Sequence, residues 1–405
     1  MIDTSDLIIF WAVVAVRFFV PFAIPWYPLP GVLVALVADG IDQTIFQQYT
    51  NIPLDNYQGY DKALDIYYLT ITYMSTYRTW TNLFGFQLDR FFFHYRLVGV
   101  TLFEITQFRP LMMIFPNTFE YFFIFYEIVR LKWDPRRLGK RHIIAAGVLL
   151  WILIKLPQEF IIHIAQVDTT DWFSARILGT SDVGSTPGGL LSNPFGVAVL
   201  VLLVALVLIA TWWLIRRLPA TDWSLTFLAD THLESNGGPA ADASTGIRTQ
   251  KFLNMAFVEK IVMVSLVGII FAQVLPDMRA SSIEIIVAGI ILILINTSLS
   301  QWLARQGSGW TATFREFIVL LAVNFVLILI IAILLPTFDG SINLVNVIFF
   351  TLLFTIVTTM LDRFRQQHLG RFATFVDSAA VSGVGLGQEA TAGYSEGWTG
   401  DAPNH

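Results

Sequence analysis

Apolar residues run in blocks of about twenty along most of the chain, and polar residues collect between the blocks rather than alternating with apolar ones. A half-buried strand would alternate with a period of two, and a surface helix would carry a polar stripe. A helix needs roughly 20 apolar residues to cross a hydrocarbon layer about 30 Å thick. The pattern therefore predicts an all-α, polytopic transmembrane bundle of about eleven spans. They fall near 7–26, 31–48, 62–79, 91–108, 110–131, 143–166, 195–215, 253–275, 282–303, 315–335 and 343–362. Pro25, Pro28 and Pro30 tighten the first turn, and Pro110 separates the fourth span from the fifth. The aromatic runs Phe91–Tyr95 and Tyr121–Tyr126 read as lipid-facing or interfacial belts.

The blocks differ in polarity, and this divides the chain. Residues 1–172 form a polar-cored region of about six spans, rich in Asp, Glu, Arg, Lys, His and Tyr. An outer loop, 173–194, is rich in Gly, Ser, Thr and Pro. Residues 195–365 form about five cleaner spans with a cytoplasmic loop at 218–252. The segment 366–405 is rich in small residues and reads as a disordered cytoplasmic tail. No internal repeat is visible, which argues against a simple duplicated transporter.

Composition sharpens this picture. The chain is 55% hydrophobic and 14% charged, against about a quarter charged in soluble domains. A net charge of −5 gives no footprint for nucleic acid. With no cysteine, disulfides, thiolate metal sites and a cysteine nucleophile are excluded. Asp3, Asp6 and Arg17 make the first block a retained helix rather than a secretory signal. Lys and Arg accumulate in alternate loops: Arg130 to Arg141, then Arg216 and Arg217, Arg305 and Arg315, and Arg363 to Arg371. That bias predicts a multi-pass cell-membrane protein with its N-terminus outside and its C-terminus cytoplasmic.

Charges inside the spans carry the candidate chemistry. Each costs about 2.5–3.5 kcal/mol at the bilayer centre on insertion scales, so each must pair, face the interior or line water. At about 1.5 Å rise per residue, Arg17, Asp39, Glu120 and Lys155 lie roughly 12–18 Å deep. They read as two ion pairs, Arg17–Asp39 and Glu120–Lys155, or as working groups. Asp39 and Asp42 share one face of a helix, as do Asp61 and Asp65, with Tyr68 and Thr72 continuing inward. Lys155, Glu159 and His163 form one stripe around Pro157. The ion- or substrate-binding candidates are thus Asp39, Asp42, Asp65, Glu120, Lys155, Glu159 and His163. A divalent cation, the one cofactor the sequence raises, would fall to Asp42, Asp61 and Asp65.

Asp39-Gly40, followed on the next helix by Asp61-x-x-x-Asp65, resembles part of the signature of the CDP-alcohol phosphotransferases. The resemblance implies metal-binding aspartates on two neighbouring helices. The chain departs from that pattern at Leu36, where an aspartate is expected, and at Gln43 and Thr44, where Ala-Arg is expected. The spacing to Asp61 is also longer, so no family assignment follows. Three functions remain open. One is cation- or proton-coupled transport, with Lys155 as counter-ion. Another is a metal-dependent enzyme acting on a lipid-linked substrate at the outer leaflet. The last is a non-catalytic assembly factor. The expected partners are membrane lipid and a homo-oligomer or membrane complex.

Overall fold

A computed structural model describes residues 4–50, 57–165, isolated positions between 197 and 216, and then 219–229, 255–274, 282–304, 310–334 and 344–381. It is all-helical, with no strand among the described residues. Helix α1 (Thr4–Phe19) runs into a 3₁₀ turn and reverses into α2 (Pro28–Tyr49). The reversal is tight because Gly31 has no side chain: a Cβ there would lie 2.8 Å from the Ile24 backbone. Helices α3 (Tyr57–Thr79) and α4 (Leu83–Thr106) follow, the latter capped by Asn82. After the short α5 (Pro110–Ile114) come α6 (Thr118–Lys132) and α7 (Lys140–Leu149). The second half contributes α8 (Met255–Val274), α9 (Ser282–Ala304), α10 (Trp310–Leu334) and α11 (Leu344–Val381).

By length and composition, four described segments are apolar enough to cross a membrane: Thr4–Ala23, Lys140–Glu159, Phe314–Ile331 and Val347–Arg365. These apolar helices suggest a membrane protein.

Helix α3 is the axis of the bundle, in contact with α1, α2, α4, α8 and α11. It is also polar, with Thr70, Thr72, Ser75, Thr76 and Thr79 all buried. Their hydroxyls donate to carbonyls of the preceding turn, as in Thr70 to Ile66 at 2.6 Å and Thr72 to Tyr68 at 2.8 Å. A hydroxyl satisfied within its own helix is buried at little cost. Tyr73 stacks on Phe93 with ring centroids 4.4 Å apart, and Trp80 stacks on Tyr126 at 3.6 Å.

Four features differ from the sequence reading. The aromatic runs are not simple belts: Phe92, Phe93, Phe122, Phe123 and Tyr126 are buried, and Phe91 is the one exposed member of the two runs. The fifth block is broken at 115–117, where Pro116 cannot donate a hydrogen bond and Asn117 starts a new helix. Helix α11 continues through 366–381, inside the expected tail, with buried His368 bonded to the Tyr77 carbonyl. Residues 382–405 and the outer loop 173–194 lie outside the described residues. Lastly, Arg130 and Arg365 are not loop cations but buried partners of Glu127 and Glu259.

One end of the bundle is stapled by hydrogen bonds between distant segments. Asn82 donates to the carbonyls of Pro135 and Leu138, and Arg78 to that of Pro25. The segment 219–229 crosses the same end: Ala229 donates to the Trp26 carbonyl, and Trp223 to that of Arg130. Asp222 accepts from the Asp134 backbone and from Arg137. Burial lifts the Asp134 carboxyl, but hydrogen bonds from Arg136 outweigh it and hold it below its usual range.

Candidate functional site

Arg17, near the end of α1, is buried and points between α2 and α3. Its guanidinium donates to four carboxylates: Asp39 and Asp42 on α2, and Asp61 and Asp65 on α3, the last two at 2.9 Å each. The i, i+3 spacing on α2 and the i, i+4 spacing on α3 aim each pair at the same point. Asp42 is fully buried, whereas the side chains of Asp39, Asp61 and Asp65 keep 26%, 30% and 23% exposure. Those three are the acids water reaches, and one oxygen from each lies within 4.8 Å of the others.

A second group of acids lies one turn along α3. Tyr68 Oη donates to Glu120 at 2.5 Å, and Asn117 Nδ2 donates to the other Glu120 oxygen at 3.0 Å. The Asn117 backbone N–H donates to Glu159 at 3.2 Å, and Arg96 lies 3.7 Å from that oxygen. These contacts meet where α5 gives way to α6. Glu120 therefore sits in the first turn of a helix, where a carboxylate suits the helix dipole, and not mid-helix.

Opposite the break, the rod continuing α7 is not a plain α-helix. It is π-helical over Leu150–Lys155, α-helical over Leu156–Glu159 and π-helical over Phe160–Ile164. Pro157 has no N–H to donate within this rod, and the wider turns accommodate its absence. The rod puts buried Lys155 3.9 Å over the Tyr121 ring, with Glu120 and Glu159 as acidic neighbours.

The structure thus gathers Asp39, Asp42, Asp61 and Asp65 around Arg17, and joins Glu120 to Glu159 through Asn117. Arg17 does pair with Asp39, but as one of four partners. Lys155 stacks on Tyr121, and among the described residues no ion pair within 4.0 Å joins it to Glu120. The side chain of His163 lies outside the described residues. The oxygens best grouped for a metal are those of Asp39, Asp61 and Asp65, with Asp39 in the place assigned to Asp42.

Sequence reasoning missed Arg96 and Asn117. Both had a signal: an arginine inside an apolar run, and an asparagine three residues before a glutamate, which is a helix-start pattern. It also missed a cluster on the C-terminal half of α3. There Glu259 of α8 accepts from Tyr73, and from Arg365 of α11 at 2.7 Å, while Arg90 of α4 lies 3.0 Å away. Beside it Lys260 donates to Asp362 at 2.5 Å.

No protein family, curated protein or solved structure matches the chain. The chemistry of the site must be read from its own residues. Counted formally, four carboxyl groups against one guanidinium leave an excess of three acids. Two carboxylates about 4 Å apart repel by about 4 kcal/mol at an effective dielectric of about 20. One arginine cannot relieve all the repulsions among four acids.

Proposed function

We propose that the protein spans the cell membrane about eleven times and carries out cation- or proton-coupled transport. The N-terminus is outside and the C-terminus cytoplasmic. The observation that carries the transport reading is Arg17 shared among four aspartates, three of them partly exposed. Arg17 acts as a resident counter-ion: when a cation or protons enter, the guanidinium gives up carboxylates, and when they leave it takes them back. Tyr68, Glu120, Asn117 and Glu159 continue the polar track from α3 to the α7 rod. Lys155 is the counter-ion at its far end. Broken and π-bulged helices inside a bundle support this reading, because irregular backbone persists at membrane depth only where protein or water satisfies it.

The test is ion flux into proteoliposomes holding a pH-sensitive dye, with Na⁺, K⁺ or Mg²⁺ gradients imposed. Wild-type protein should move protons or one of these ions, and Asp39→Asn and Glu120→Gln should each abolish the flux while the protein stays folded. Flux that is absent from wild type, or unchanged in both variants, would overturn the proposal.

The enzyme reading keeps one observation in its favour: Asp39, Asp61 and Asp65 offer the oxygen ligands a hard divalent ion prefers. Stoichiometric divalent metal in the purified protein, lost on Asp61→Asn, would favour it over transport.

A further inference from the structure

Helices α8 to α11 hold a set of buried polar groups that the proposed transport site does not use. Lys260 on α8 is its centre. The side chain is 2% exposed, and Nζ donates to Asp362 of α11 at 2.5 Å and to Thr297 of α9 at 3.2 Å. An ammonium carries three N–H groups, and among the described residues two of them meet acceptors. Asp362 keeps 26% exposure and ends the last apolar block, so water reaches the set there.

Thr359 and Thr355 share a face of α11 with Asp362, one and two turns further in. Thr351, Thr355 and Thr358 each donate to their own helix, at 2.7, 2.6 and 2.6 Å. Thr359 does not: its buried hydroxyl has no partner among the described residues. At the level of Thr355, Asn324 of α10 donates to that hydroxyl at 2.8 Å, while its own side-chain oxygen has no partner. On α9, Asn296 is the chain neighbour of Thr297, and neither its amide nitrogen nor its oxygen is bonded among the described residues. Asn296 and Asn324 are 1% and 0% exposed.

Polar groups left unmet in an apolar interior are costly, so these call for an occupant. It must accept from Lys260 Nζ and the Asn296 amide, and donate to the oxygens of Asn296 and Asn324. A metal cation suits the oxygens but not the N–H groups, and an anion does the reverse. Water does both, and it is small enough for a sealed interior. We propose that α8 to α11 enclose a file of bound water that enters beside Asp362 and passes Lys260 and Thr359 to Asn324, reaching Asn296 beside Thr297. This hydrated half-channel is separate from the Arg17 cluster, and it stands whether or not the chain moves ions.

Magic-angle-spinning NMR of the full chain in lipid bilayers tests this, with isotope-labelled asparagine and magnetisation transferred from water protons at short mixing. Asn296→Gln and Asn324→Gln each remove one labelled amide and so assign the two signals. Both amides should receive magnetisation directly from water. Thr359→Leu fills the path, leaves the Lys260–Asp362 pair in place and should cut the transfer to Asn324 while that to Asn296 persists. Thermal unfolding gives a second reading. Thr359→Val removes the hydroxyl at nearly constant shape, and it should lower the midpoint, whereas loss of a dry, unbonded hydroxyl would be neutral or stabilising. No transfer to either amide, transfer to Asn324 unchanged in Thr359→Leu, or a midpoint unchanged or raised in Thr359→Val would each overturn the proposal.

Discussion

Arg17 is the residue on which the polar core turns. Removing one partner from a buried ion pair typically costs about 3–5 kcal/mol, because the remaining charge stays buried. Here four carboxylates would remain around an empty centre, so Arg17→Gln should lower the thermal unfolding midpoint sharply in detergent. Asp42→Asn added to Arg17→Gln should recover part of the loss, since Asp42 is the fully buried member. A double variant no more stable than the single one would show that the cluster is not held by charge. Asp89 makes the opposite case. Its carboxylate is buried in α4, and neither oxygen has a hydrogen-bond partner among the described residues. Its acidic neighbour is Glu127, which is already engaged by Arg130 and by Trp80 at 2.8 Å. A buried polar group without a partner is a cost, and replacing it by an apolar group of similar size is neutral or stabilising. Asp89→Leu should therefore hold or raise the unfolding midpoint, and a fall of several degrees would refute this. The aspartates around Arg17 were legible in the sequence because charges in apolar blocks stand out. The pairing of Arg17 with Asp39 was legible too, but its sharing with Asp42, Asp61 and Asp65 was not, because Arg17 lies 22 to 48 residues away from the four in the chain.

At the level of elements, the helices were easier to read than their interruptions. Apolar length predicts a helix, but the break at 115–117 depends on one proline and one cap inside an apolar block. Burial of α3 was also hidden, because nothing in average hydropathy shows that a threonine bonds to its own helix. The break is held against α4 by close packing. Gly99 faces Phe115, and a Cβ at that position would lie 2.1 Å from the Phe115 Cβ and 2.6 Å from its Cγ. No rotation of the ring relieves a clash with Cβ, so the backbone would have to move. Overpacking of this kind costs about 1–3 kcal/mol. The same shift would pull the Phe115 carbonyl from Arg96, which donates to it at 3.1 Å and lies beside Glu159. Gly99→Ala should thus lower the unfolding midpoint and also reduce ion flux. A variant as stable and active as wild type would mean the break tolerates displacement.

For the whole molecule, the arrangement of chain ends bears on orientation more directly than loop charge does. Two of the cations that orient the chain by loop composition, Arg130 and Arg365, are buried ion-pair partners, so that count loses weight. The turn between α1 and α2 carries no charge and gives no signal of its own. Yet Pro25 and Trp26 of that turn bond to Arg78 and to Ala229. Asn82 bonds to Pro135 and Leu138, close to Arg136, Arg137 and Lys140. These segments share one end of the bundle, and the exposed Arg136, Arg137 and Lys140 make that end basic. In the proposed topology the positive-inside bias turns this end to the cytoplasm and the N-terminus outside. The chain has no cysteine, so single cysteines report accessibility without background. Lys140→Cys and Ser224→Cys should resist a membrane-impermeant maleimide added to intact cells and react after permeabilisation. Arg109→Cys, at the opposite end of α4 and exposed, should react from outside. Reaction at Lys140 and Ser224 together, with Arg109 protected, would invert the molecule and turn the Arg17 cluster toward the cytoplasmic half. Reaction at only one of Lys140 and Ser224 would instead place them on opposite faces, which the bond from Trp223 to Arg130 does not allow.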